Sequence, residues 1–260
     1  MQFLLNLPVL VTVVIISVVS VGISVTGLKL VRRRFSHEAL KENHEVAGFI
    51  YNAFMLIYAV LVAFVVFVSW TDYSDSKKNV EMEANLIVDV YADARGLPDT
   101  MRAQVRAAVS EYIRLVINEE WKEMEYGRFS PAAREQLAKL WSIYFTADMR
   151  MLPNQAAYAE SLKRLNDLGE YRRMRIFSSC DQIPGLIWVV LVICASCSVV
   201  YTFFFGVKDI KAQYVMTSVL ALINALILYL IFVLDHPFKG AAKVTSGTFM
   251  AVERLLQQMM

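Results

Sequence analysis

Residues 47–96 read AGFIYNAFMLIYAVLVAFVVFVSWTDYSDSKKNVEMEANLIVDVYADARG. The first half, Ala47–Trp70, is an uncharged apolar run, whereas the second half is polar. No glycine or proline lies between Gly48 and Gly96, so no helix breaker separates the two halves. A helix of about 48 residues would be roughly 72 Å long, more than twice a hydrocarbon core of about 30 Å. The stretch therefore predicts one helix that crosses a membrane and continues into water.

The polar half of this stretch has a regular apolar stripe. Its apolar positions recur at intervals of four, three, four and three residues, at Val80, Ala84, Ile87, Tyr91 and Ala94. Such intervals are typical of one helix face and not of a strand. Two helices that meet near residues 72–75 are the alternative interpretation.

The composition indicates a membrane protein. The chain has 260 residues, is 57% hydrophobic and has a positive mean hydropathy of +0.46, which is too apolar for an ordinary soluble domain. A net charge of +2 gives no overall basic signal for nucleic acid. The three cysteines, at 180, 194 and 197, are too few for a disulfide framework. We therefore expect no nucleic-acid partner, no metal site and no cofactor.

Four apolar blocks are each long enough to cross a bilayer. They cover residues of about 4–30, 46–70, 185–205 and 214–234. The predicted fold is an all-α integral membrane protein with an extramembrane helical domain between the second and third crossings. The predicted segments are a first transmembrane pair (1–70), the helical domain (71–183), a second transmembrane pair (184–234), and a C-terminal turn with a short amphipathic helix (235–260).

Capping signals predict three further helices in the polar segment. Asp99 or Thr100 is expected to cap the first, Ser130 followed by Pro131 to cap the second, and the third starts after Pro153. The carboxylates of this segment, Glu83 and Glu120 among them, are interspersed with Arg and Lys, which predicts solvated helix faces.

Four crossings place both termini and the helical domain on the same side of the membrane. The arginines at 32–34, next to the first helix, favour the short links inside and the domain outside. Basic residues near the membrane ends number seven on the short-link side and nine on the other. The side that holds the domain is therefore left open.

No catalytic motif is present in the sequence, which contains no Gly-rich phosphate loop, no G-x-S-x-G and no H-E-x-x-H. His37 and His44, in the first short link, are interpreted as solvated and not as a metal pair. The centres of the apolar blocks contain no ionisable residue, which disfavours a pump or an ion-coupled carrier. The sequence thus predicts a protein that is not an enzyme.

Small and weakly polar residues lie roughly on one face of the second block, at Gly48, Asn52, Ala59 and Ala63. Such a stripe could line a pore, where polar groups and constrictions set permeation. It could equally be a surface on which neighbouring helices pack.

The second and fourth blocks end on the same side of the membrane. Their ends contain aromatic residues suited to the interface, and the candidate residues there are Trp70, Asp72, Asp235, His236, Pro237 and Phe238. A structural collar is the first interpretation, and a gate or ligand mouth is the functional alternative.

Several of these motifs together resemble a known family. The segments that carry the resemblance are 44–51, 63–66, Trp70, 83–85, Tyr91, 94–98, 120–121 and 235–240. They resemble the bestrophin-like prokaryotic membrane proteins, long classed as a domain of unknown function and remotely similar to bestrophin anion channels. The resemblance covers nearly the whole chain.

The resemblance implies a function that the residues alone do not. Bestrophins proper are pentameric anion-permeable channels whose second membrane helix lines the pore and whose helical domain is cytosolic. The expectation is therefore a homo-oligomeric channel for small anions in a prokaryotic cytoplasmic membrane, with the lipid bilayer as its surroundings. A membrane-anchored sensor or interaction protein without transport activity is the alternative.

Overall fold

The computed structural model describes residues 7–35 and 44–259. This part of the chain is built from helices and contains no strand. The α-helices are α1 (Val9–Arg34), α2 (His44–Asp93), α3 (Asp99–Leu115), α4 (Trp121–Met124), α5 (Pro131–Phe145), α6 (Gln155–Cys180), α7 (Gly185–Phe203), α8 (Ile210–Leu234) and α9 (Gly247–Gln258). The predicted all-α class is confirmed.

Helices α1, α2, α7 and α8 are long and apolar enough to cross a membrane. A helix satisfies its own backbone hydrogen bonds, so it can cross the hydrocarbon core without a partner strand. The predicted set of four membrane helices is confirmed.

Helix α2 is continuous from His44 to Asp93 and is followed by a 3-10 turn, Ala94–Gly96. No break occurs near residues 72–75, so the alternative of two helices is wrong. The stripe predicted in its polar half is buried at every position, as expected of one helix face.

Three membrane helices differ in their bounds from the prediction, and the smallest difference is in α7, which ends at Phe203 instead of residue 205. Helix α1 continues to Arg34, which puts the three arginines in its last turn and not in the link; its predicted start, residue 4, lies outside the described residues. Helix α8 begins at Ile210 instead of 214, because the Asp209 carboxylate accepts hydrogen bonds from the backbone N–H groups of Lys211 (2.8 Å) and Ala212 (3.4 Å).

The chain divides into two compact units. We call the first the membrane unit; it contains the described residues up to Asp72, Gln182–His236 and Gly240–Ala242. Within it, α1 packs on α7 and α8, and α7 packs on α8. The apolar cluster that includes α2 is formed by Tyr58, Val62, Val65, Leu191, Ala195 and Ile231.

The second unit, called the helical domain here, contains Tyr73–Asp181, Pro237–Lys239 and the residues from Lys243 onwards. Ser130 caps α5 as predicted, since its hydroxyl accepts a hydrogen bond from Ala133 N at 3.2 Å. The cap predicted for α3 is wrong: Pro98 occupies that position, and Asp99 is the first helical residue. Proline suits this place because the N–H it lacks would have no partner within the helix.

Alanine substitutions at two glycines of the helical domain are expected to change its stability in opposite directions. A Cβ added at Gly96 would lie 2.8 Å from the Cβ of Ala157, whereas at Gly169, inside α6, it would meet only the Arg173 side chain at 3.6 Å. We expect Gly96→Ala to destabilise the domain by about 1–3 kcal/mol, and Gly169→Ala to stabilise it by about 0.5–1 kcal/mol. Chemical denaturation of both purified variants tests this; equal changes in the two would contradict it.

Candidate functional site

One face of the membrane half of α2 is packed against its own chain. Tyr58, Val62, Val65 and Ser69 are buried at intervals of four, three and four residues. These intervals define one helix face. The other faces of this half of α2 are therefore the ones open to lipid, to another chain or to a pore.

Most of the predicted small-residue stripe lies outside this packed face. Asn52, Ala59 and Ala63 are exposed, and Gly48 is half-buried with no atom within 4 Å of an added Cβ. Around the helix axis the stripe lies roughly 110° from the centre of the buried face. The helices within the described residues thus do not pack on the exposed part of the stripe, and the packing interpretation would require another partner there.

Two pairs of neutral polar side chains join α7 to α8. The Asn224 side chain donates a hydrogen bond from Nδ2 to the Ser198 hydroxyl at 2.8 Å, and the hydroxyls of Thr202 and Thr217 are 3.2 Å apart. Asn224 and Ser198 are buried. These groups hold α7 against α8 and are not available to a permeating solute.

The end of α1 is tied to the link between α7 and α8 by Arg32. Its Nε donates to Gln213 Oε1 at 2.9 Å, and its Nη2 donates to the carbonyl oxygens of Phe205 (3.3 Å) and Val207 (3.0 Å). Gln213 is buried and donates from Nε2 to the carbonyls of Thr202 and Phe205, both at 3.0 Å. Together these bonds satisfy the Thr202 carbonyl in the last turn of α7 and the carbonyls of Phe205 and Val207 in the link that follows.

Asp235, one of the candidate collar residues, holds the start of α7 through two hydrogen bonds to its carboxylate. Its Oδ1 accepts a hydrogen bond from Ile183 N at 2.7 Å, and its Oδ2 accepts one from Trp188 Nε1 at 3.3 Å. The Asp235 residue is buried. The carboxylate therefore has a positioning role at the end of α8.

The remaining collar candidates are divided between the two units. Trp70 and Asp72 are exposed on α2, and His236 Nδ1 lies 2.9 Å from the Phe232 carbonyl, all within the membrane unit. Pro237 and Phe238 belong to the helical domain, where the Phe238 ring is buried against Trp121 at a centroid distance of 6.0 Å. A gate at these residues remains a prediction.

The helical domain contains a buried ion network that the sequence interpretation missed. Arg175 donates from Nε and Nη2 to both carboxylate oxygens of Glu83 (2.6 and 3.0 Å) and from Nη2 to Glu120 (2.8 Å). Arg172 makes a second two-bond contact with Glu120, at 3.2 and 2.6 Å, and the Tyr112 hydroxyl donates to Glu83 at 2.7 Å. The side chains of Glu83, Glu120 and Arg175 are fully buried.

The charges of the network balance, since two carboxylates face two guanidinium groups. Burial opposes ionisation of Glu120, but the adjacent Arg175 and Arg172 outweigh it and hold the pKa of Glu120 below its ordinary value. Burial would likewise lower the pKa of Arg175, yet the Glu83 carboxylate raises it above the usual range. Glu120 and Arg175 are therefore both charged in the folded protein near neutral pH.

The prediction that Glu83 and Glu120 lie on solvated faces is wrong, and the helix spacing explains why. Glu83 follows the buried Val80 by three residues, and Glu120 follows Val116 by four. A turn of π-helix, Val116–Glu120, precedes α4 at this point. Each of the two carboxylates accepts hydrogen bonds from at least one arginine. Among the described residues no cluster of three potential metal ligands occurs; His37 and the side chain of His44 lie outside them.

Comparison with known proteins identifies the family and the fold of this chain. The model of the bestrophin-like domain family matches residues 18–249, so the chain belongs to the bestrophin-like family. A bacterial bestrophin homologue from Klebsiella pneumoniae has the same fold, with a TM-score of 0.71 at 11% identity over 95% of this chain and 97% of that one. A point variant of the Klebsiella pneumoniae protein gives a TM-score of 0.73 at 11% identity, over 98% of both chains. No curated protein sequence matches this chain significantly.

The family and the four apolar helices together make this chain a multi-pass integral membrane protein with a bestrophin-like fold. The resemblance found in the sequence motifs is thereby confirmed.

Proposed function

We propose that this protein is an oligomeric, anion-permeable channel whose pore is lined by the membrane half of α2. The observation that carries the proposal is that α2 packs on its own chain through one face and leaves Asn52, Ala59 and Ala63 exposed. Copies arranged in a ring could enclose a water-filled path between such faces. The preference for anions rests on the remote resemblance to bestrophins proper, which are anion-permeable.

The proposal assigns roles to the remaining candidates. Gly48, Asn52, Ala59 and Ala63 line the path, and the collar residues at the ends of α2 and α8 lie at its mouth. Residues 71–183 form the domain outside the membrane, on the same side as both termini. The assembly is a homo-oligomer, pentameric by resemblance, in a prokaryotic cytoplasmic membrane. A pore needs no nucleophile, base or cofactor, so no catalytic role is assigned.

Reconstitution into liposomes with a halide-flux assay tests the channel. We expect halide flux at least about tenfold above that of empty liposomes, because a hydrated path removes the cost of moving an ion through hydrocarbon. The control is the same protein heat-inactivated before reconstitution. Absence of flux in both directions from folded protein, across a range of pH and calcium concentrations, would overturn the proposal and favour a sensor or interaction protein.

A further inference from the structure

Four exposed basic residues gather at the short-link end of the membrane unit. Arg33 and Arg34 complete the last turn of α1, and Lys208 and Lys211 flank the start of α8. Arg32 brings these two segments together, since its guanidinium contacts the carbonyl of Val207, the residue before Lys208. The hydrogen bonds of Arg32 therefore hold the basic end of α1 close to the basic start of α8.

The acidic residues nearby do not cancel this charge. Asp209 lies between the two lysines, but its carboxylate is engaged by the first N–H groups of α8. Between residues 29 and 45 the sequence has five basic residues against three acidic ones. In the described part of the chain, no carboxylate forms an ion pair with any of these four basic side chains. This end of the membrane unit has an excess of positive charge.

Aromatic rings mark the depth of this end in the bilayer. Phe35 meets Phe204 at a centroid distance of 5.9 Å, and Tyr51 stacks on Tyr201 at 5.3 Å. Phe205 contacts both tyrosines, at 5.5 and 5.8 Å. Aromatic belts of this kind are typical of the headgroup region. The basic side chains next to the belt are therefore at the level of lipid phosphates.

We propose that this surface binds the headgroup of an anionic phospholipid. Arg33, Arg34, Lys208 and Lys211 contact the phosphate, while the Arg32–Gln213 hydrogen bond fixes their backbone. Basic clusters beside membrane helices attract anionic lipids because the charge is close to the bilayer surface and weakly screened there. The inference does not depend on the channel proposal, since it requires no pore.

The test compares lipid binding to the intact protein by native mass spectrometry. Wild type is expected to retain phosphatidylglycerol over phosphatidylcholine by more than about tenfold at equal mole fractions. The fourfold variant Arg33→Gln, Arg34→Gln, Lys208→Gln and Lys211→Gln should lose this preference. A matched control removes four exposed charges of the helical domain and should keep it: Lys122→Gln, Arg134→Gln, Arg150→Gln and Lys163→Gln.

Two further measurements keep the test decisive. The wild-type preference should fall steeply in high salt, which needs no variant. Inorganic phosphate should not displace bound phosphatidylglycerol, and it should not raise the melting temperature of protein held in phosphatidylcholine alone. Retention of the preference in the fourfold variant, insensitivity to salt, or stabilisation by free phosphate would each overturn the proposal.

Discussion

Arg175→Met is expected to destabilise the helical domain by about 3–5 kcal/mol, because it leaves Glu83 buried without its charged partner. Methionine is unbranched and replaces the apolar stem of the arginine side chain, so the loss reflects charge and hydrogen bonding more than a cavity. The Tyr112 hydroxyl would still donate to Glu83, but a neutral donor does not replace a guanidinium. Hydrogen exchange of residues 99–180 in the full-length protein measures the change.

Substitution of Arg164 is a matched control that distinguishes the effect of burial from the effect of ion pairing. Arg164 also contacts two carboxylates, those of Asp89 (2.7 Å) and Glu160 (3.0 Å), but its side chain is 38% exposed. Arg164→Met should therefore cost no more than about 1 kcal/mol. The double variant Glu83→Gln with Arg175→Met should be less destabilised than the sum of its single changes. Equal effects of the two arginine substitutions would contradict the assignment of a buried network.

The network also predicts how stability depends on pH. The pKa of Glu120 is lower in the folded protein than in the unfolded chain, where a glutamate has a pKa of about 4.3. Its contribution is fully present above that unfolded pKa and is lost as the pH falls through the lower, folded pKa. Arg175→Met removes one of the two guanidiniums responsible, so the variant should lose stability less steeply over this acidic range than the wild type.

The sequence patterns predicted the path of α2 because that path depends on local rules. No glycine or proline interrupts residues 49–95, and the apolar stripe from Val80 continues at helical intervals. The start of α8 shows where a local signal was overlooked. An Asp two residues before Lys211 is a strong cap, and it lengthens the helix beyond its apolar block.

The ion network shows that helix spacing can predict the direction of a charged side chain but not its partner. Glu83, Glu120 and Arg175 each continue the apolar stripe of their own helix, so their inward direction could have been found from spacing alone. The partner of each charged residue could not have been found from spacing, because Glu83 and Arg175 are separated by 92 residues in the chain. A charge on an inward face is tolerated only if an opposite charge meets it, and that meeting depends on tertiary packing.

The second large effect is expected in the membrane half of α2, where Ala59→Trp should reduce halide flux by more than about tenfold. Ala59 is exposed within this chain, so the indole would not disturb the packing on α7 and α8. If the stripe faces a pore, a ring of bulky side chains narrows it and removes water from the constriction. Flux into proteoliposomes, normalised to the amount of folded oligomer, is the measurement.

Ile57→Trp is the matched control for this substitution. Ile57 is also exposed, and two residues on an α-helix differ by about 200° in direction, so its side chain lies on nearly the opposite face from Ala59. Both substitutions add an indole at the same depth, and their effects on insertion should be similar. Only the direction of the side chain distinguishes them, so Ile57→Trp should keep flux within about twofold of the wild type. Loss of flux in Ile57→Trp alone would indicate that the face of α2 that contains Ile57 lines the pore. Unchanged flux in both variants would exclude α2 as the pore lining.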